Sequence, residues 1–95
     1  MTDYAKILIN RNALATLKES IHIGSEVLKR KHAAYQSKLR KFELMNGMDT
    51  AVFTAMFGKG ELGDKKEWLE WEHAASVENL LRRKLDELDE IRYES

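Results

Sequence analysis

Residues 7–45 read ILINRNALATLKESIHIGSEVLKRKHAAYQSKLRKFELM, and the seven-residue spacing within this stretch decides the fold. Ile7, Leu14, Ile21, Leu28, Tyr35 and Phe42 fall on one track. An apolar residue sustained at this interval marks one face of a long helix. The companion positions Asn10, Leu17, Gly24, Lys31, Lys38 and Met45 are mixed, so the seam is not that of a two-stranded coiled coil. Leu8, Val27 and Leu39 widen it toward a bundle face. The register continues through Ile7-Leu8-Ile9 and Ile21-His22-Ile23, which favours helix over strand at both. A first helix over about residues 3–45 is predicted, roughly 60 Å long. Gly24-Ser25 is its weak point, because glycine costs about 1 kcal/mol against alanine in a helix, so a bend or break is expected there.

Outward from this stretch the chain turns back. Gly47 suits a left-handed helix end, and Asp49 suits the N-cap of a short helix over about residues 50–57. Gly58-Lys59-Gly60-Glu61-Leu62-Gly63 reads as a turn. Asp64, with Glu67 three residues on, reads as a capping box opening a last helix over about residues 65–93. Ala74, Leu81 and Leu88 form its apolar track, flanked by Trp71, Val77, Leu85 and Ile91. Residues 1–95 are thus expected to form one all-α domain: a long antiparallel helical hairpin with a short middle helix. The first helix is the longer, so Ile7, Leu8, Ile9 and Leu14 should overhang the open end. Two hairpins packed at about 20° as a four-helix bundle would cover that overhang, which predicts a homodimer.

Composition narrows the function. With 95 residues, 43% hydrophobic and 34% charged, the chain fits one small core and neither a disordered nor a membrane class. Sixteen Lys/Arg balance sixteen Asp/Glu, so a strongly basic nucleic-acid binder is not the first expectation. The charge is divided, however. Residues 1–48 hold nine Lys/Arg and four Asp/Glu, and residues 49–95 hold seven and twelve. Pairing the two arms would bring opposite fields together, which favours specificity more than stability. With no Cys, disulfides and thiolate metal sites are excluded. The apolar run Ile7-Leu8-Ile9 is too short for a signal peptide or a membrane span, so a cytoplasmic protein is expected.

Sites of chemistry are scarce. Gly58-x-Gly60-x-x-Gly63 matches a dinucleotide fingerprint as a string, but the fingerprint needs a preceding strand, and a helix is expected there. Asp64 would also repel a phosphate at the next helix N-terminus. His22, His32 and His73 lack the spacing of a metal motif, and rim histidines are the simpler reading. No hydroxyl or thiol nucleophile lies beside a base, and the many carboxylates alternate with Lys and Arg as on a solvated face. The basic cluster Lys29-Arg30-Lys31-His32 has no interleaved aromatics for stacking on bases, so direct nucleic-acid binding is not expected. The chain reads as a non-enzyme with no cofactor, no metal and no catalytic residue. Its most informative feature is aromatic. Phe42, Met45, Met48, Phe53, Met56, Phe57, Trp68 and Trp71 all fall around the corner. They read as a local core, and Trp68 with Trp71, on one helical face, also read as a partner anchor.

These same residues carry a resemblance. Phe42-Glu43, Asn46-Gly47-Met48-Asp49, Phe53, Gly60-Glu61-Leu62-Gly63-Asp64 and Glu67-Trp68-Leu69-Glu70-Trp71 together resemble a group of small prokaryotic helical proteins. Members of that group look like antitoxins, or lie beside predicted ribonuclease-type or nucleotide-modifying toxins. The chain departs from the pattern at Asn46, where the group has an aromatic, and at Lys65-Lys66, which interrupt an acidic run. The resemblance implies a protein partner, a toxin-like enzyme that this chain binds and inhibits. The expected contact surface is Ile7, Leu14 and Leu17 on the overhang, Trp68 and Trp71 at the corner, and Glu67, Glu70 and Glu72 as a complement to a basic channel. The alternative is a self-associating coiled-coil scaffold with no toxin partner.

Overall fold

The computed structural model describes residues 3–93. The expected single domain extends to residues 1–2 and 94–95, which lie outside the described residues. All regular structure among the described residues is helical. A 3-10 turn, Arg11–Ala13, leads into α1, Leu14–Asn46; α2 is Thr50–Gly58 and α3 is Lys66–Leu88. Among the described residues no helix is long and apolar enough to cross a membrane.

Helix α1 is unbroken through Gly24-Ser25. Ile21 and Leu28, one turn to either side, are half-buried and hold the helix across the glycine. The start of α1 corrects the sequence expectation. Residues 3–10 are not helical, because Asn10 takes an extended conformation and its Oδ1 accepts from Asn12 N at 2.8 Å. An Asn in that geometry satisfies a free helix N–H and ends the helix at its N-terminal side. Ile7, Leu8 and Ile9 therefore form an exposed, non-helical arm.

Two other boundaries differ. Lys65, not Asp64, occupies the N-cap of α3, and it makes no side-chain cap bond. The expected Asp64–Glu67 capping box does not form, because the helix opens one residue later than that box requires. Trp68 N instead donates to Lys65 O at 3.0 Å, and this register carries Trp68 and Trp71 inward. At the other end α3 stops at Leu88, and Asp89 to Ile91 continue only as turns. Gly47, by contrast, ends α1 in the left-handed region (φ 62°), and Asp49 caps α2 by accepting from Val52 N at 2.8 Å.

Contacts between α1 and the chain's last third run in opposite senses. Phe42 stacks on Trp71, His32 bonds Glu78, and the Lys18 ammonium lies 4.8 Å over the Tyr93 ring. The core sits at the corner, where Leu39, Phe53, Trp68, Trp71 and Ala74 are buried together. Leu81, further along α3, is also buried. The stripe Leu14, Ile21, Leu28, Tyr35 and Phe42 is only half-buried throughout.

Candidate partner-binding surface

The corner is a stack of rings. Trp71 lies between Phe42 of α1 and Phe53 of α2, with centroids 5.5 and 4.0 Å away and planes within 9° and 3° of parallel. Trp68 tilts against Phe53 at 5.8 Å, and Phe53 against Phe57 at 5.6 Å. A polar chain runs beside the stack. Trp71 Nε1 donates to Thr50 Oγ1 at 3.1 Å, and Thr50 Oγ1 donates to Glu43 Oε2 at 2.9 Å. The same carboxylate oxygen accepts from Thr50 N at 2.8 Å, satisfying an N–H at the start of α2. Three residues from three helices are thus joined at one hydroxyl. Thr50→Val keeps the shape, but removes both hydroxyl bonds and leaves the buried indole N–H unpaired. Urea denaturation should show a loss of about 2–3 kcal/mol, and a loss under half of that would mean the chain of bonds is not structural.

Trp68 and Trp71 are therefore built into the core. Trp71 is fully buried and Trp68 nearly so, which leaves neither with a face to present to a partner in this arrangement. The acidic residues do not form one surface either. Glu70 lies on the flank facing Lys66, 4.0 Å away, whereas Glu72 accepts from Ser76 Oγ on another side. Residues two apart on a helix do not face each other. Glu67 is half-buried in the first turn of α3.

What remains open is apolar. On one side of the corner a groove of about 670 Å³ runs between α1 and α3. Tyr35, Phe42 and Ala74 lie along it, with Met45 and Leu69 at its edges, 71% and 56% exposed. Lys38, Lys41 and Lys66 line it with charge, together with Glu70 and His73. The Lys38 ammonium lies 4.6 Å over the Tyr35 ring. At the opposite end is the arm, with Ile7 81% and Leu8 96% exposed. Leu14 and Leu17, in the first turns of α1, are half-buried beside it. Of the predicted contact residues, Ile7 is exposed on the arm, Leu14 and Leu17 are half-buried in the first turns of α1, and Trp68 and Trp71 are enclosed.

One pair was not legible as a site. His32 Nε2 and Glu78 Oε2 are 2.8 Å apart between α1 and α3, both mostly buried, with Arg82 Nη1 3.7 Å from the other carboxylate oxygen. The pair fixes the register of the two helices midway along them. His32→Ala should destabilise the chain by about 1–3 kcal/mol, since it strands a largely buried carboxylate. A His32→Leu, Glu78→Leu double variant should recover most of that loss in thermal denaturation, because an apolar pair leaves nothing unpaired.

Among the described residues no group of three His, Cys, Asp or Glu has the geometry to hold a metal ion. Of the basic cluster on α1, Lys29, Arg30 and Lys31 are exposed, with Lys29 3.4 Å from Glu26, and His32 is turned to Glu78. No family model, curated protein or solved structure matches the chain.

Proposed function

We propose that this chain is a non-catalytic partner-binding protein of the antitoxin kind, which binds and inhibits a toxin-type enzyme in the cytoplasm by packing apolar helical and arm residues onto it. The observation that carries this reading is the exposed apolar end formed by Ile7, Leu8, Leu14 and Leu17. Exposed apolar residues clustered at one end of a small protein are what a partner surface covers. The resemblance of residues 42–71 to small antitoxin-like proteins supplies the class of partner. Tested directly, the product of the adjacent reading frame should arrest growth when expressed alone. Co-expression of this chain should restore growth and give a complex that co-purifies. An adjacent product that is harmless and unbound would leave no basis for the reading.

A second reading, a self-associating scaffold without a toxin, is favoured by the surface area. The chain exposes 7746 Å². A compact monomer of 11.0 kDa exposes about 5,600 Å². The excess, roughly 2,000 Å², comes with an elongated shape of 55 × 28 × 17 Å, which leaves a long helical face open to a second copy. The two readings share a homodimer in the absence of other partners, formed by two helical hairpins as a four-helix bundle. Sedimentation equilibrium should give twice the chain mass at tens of micromolar.

A further inference from the structure

We propose that two copies pack antiparallel through the face that bears the groove, and that the arm of each copy, Tyr4 to Ile9, fills the groove of the other. This rests on the homodimer of the reading above and assigns its interface. The arm cannot reach its own groove. Leu14 and Phe42 are separated along α1 by about 42 Å of helix, whereas Ile7 reaches only about 10 Å beyond Asn10 along an extended chain. The molecule is 55 Å long, with the arm at one end and the groove at the other. A two-fold axis across its middle brings each arm to the partner's corner and satisfies both grooves at once, which closes the assembly.

The face between the two ends suits this packing. Ile23 is exposed and lies eighteen residues before Lys41, about five whole turns, so it sits in line with the groove. Leu80 lies eleven residues after Leu69, about three turns, and is likewise exposed on that line. A groove of about 670 Å³ is of the size that encloses a few apolar side chains. The charges also match. Asp3 leads the arm toward a rim with Lys38, Lys41 and Lys66, and Lys6 has Glu70 to meet.

The chain has no native Cys, so disulfide trapping reads the contact without background. Leu8→Cys and a tagged Leu69→Cys protein are mixed, left to exchange subunits, and oxidised. The expected result is a covalent heterodimer in at least about tenfold excess over either single variant oxidised alone. Both sites are exposed, and circular dichroism checks that each variant keeps its helix content. In parallel, Ile7→Asp, Leu8→Asp should weaken dimerisation at least about a hundredfold by sedimentation, as the loss of two buried aliphatic side chains requires. A protein that sediments as a dimer but cross-links no more than the controls overturns the arm exchange and leaves the homodimer standing. A monomer at tens of micromolar overturns both.

Discussion

Trp71→Ala should unfold the corner and with it the tertiary structure of the chain. The side chain is 0% exposed and is stacked on both faces, by Phe42 and by Phe53. Truncating a buried tryptophan costs about 3–5 kcal/mol through lost transfer energy and the cavity left behind. The substitution also strips Thr50 Oγ1 of its donor. Among the described residues the buried apolar core comprises Leu39, Phe53, Trp68, Trp71, Ala74 and Leu81. Stability for a chain of this size lies near the lower end of about 5–15 kcal/mol, so the loss takes most of it. The near-ultraviolet circular dichroism of the aromatics should vanish at room temperature, while part of the far-ultraviolet helix signal remains. Trp68→Phe is the contrast. The buried Nε1 of Trp68 finds no partner among the described residues, so this change removes an unpaired donor and no hydrogen bond. Its cost should be about 1 kcal/mol. If Trp71→Ala melts within a few degrees of the wild type, the ring stack is not what holds the three helices together.

The arm variant Ile7→Asp, Leu8→Asp should abolish neutralisation of the proposed toxin-type partner while leaving the fold intact. Neither side chain packs on the rest of the chain, so neither contributes to its stability. Burying an aliphatic side chain of this kind at an interface is worth about 1.5–3 kcal/mol, and burying an unpaired carboxylate in its place costs more. Two such changes should weaken partner affinity by a factor of about a thousand or more. Leu69→Glu, on the groove, separates the two roles of the arm. It should disrupt the dimer but leave the arm free, so neutralisation should persist at the wild-type dose. If the arm variant rescues growth as well as the wild type does, the contact with the partner lies elsewhere on the chain.

The parts of this structure that were legible in the sequence are those with a period. The heptad track from Leu14 to Phe42 and the clustering of aromatics around Gly47 to Gly63 identify long helices and a packed corner. A period does not mark where a helix ends. The track includes Ile7, yet Asn10 caps the chain three residues later, and an Asn followed by a helical run is a signal that the heptad count overrode. The pairing of Glu43, Thr50 and Trp71 was not legible, because it depends on how three helices meet rather than on spacing along any one of them. His32 and Glu78 were hidden for the same reason.

The motif residues of 42–71 have structural duties that account for most of them. Phe42, Phe53 and Trp71 make the ring stack, Glu43 anchors α2, and Gly47, Gly60 and Gly63 take left-handed backbone conformations. Such a motif specifies a corner, and a corner is compatible with more than one partner. Choice of partner then falls to the residues outside it, of which the arm and the groove edges are the most exposed apolar ones.

The claim that this chain binds and inhibits an enzyme is tested most directly by titrating the purified product of the adjacent reading frame with the purified chain and following the activity of that product. Activity should fall linearly and reach its floor at a fixed whole-number ratio of the two chains, with the arm variant leaving it unchanged. Full activity at a large excess of the folded wild-type chain would contradict the account.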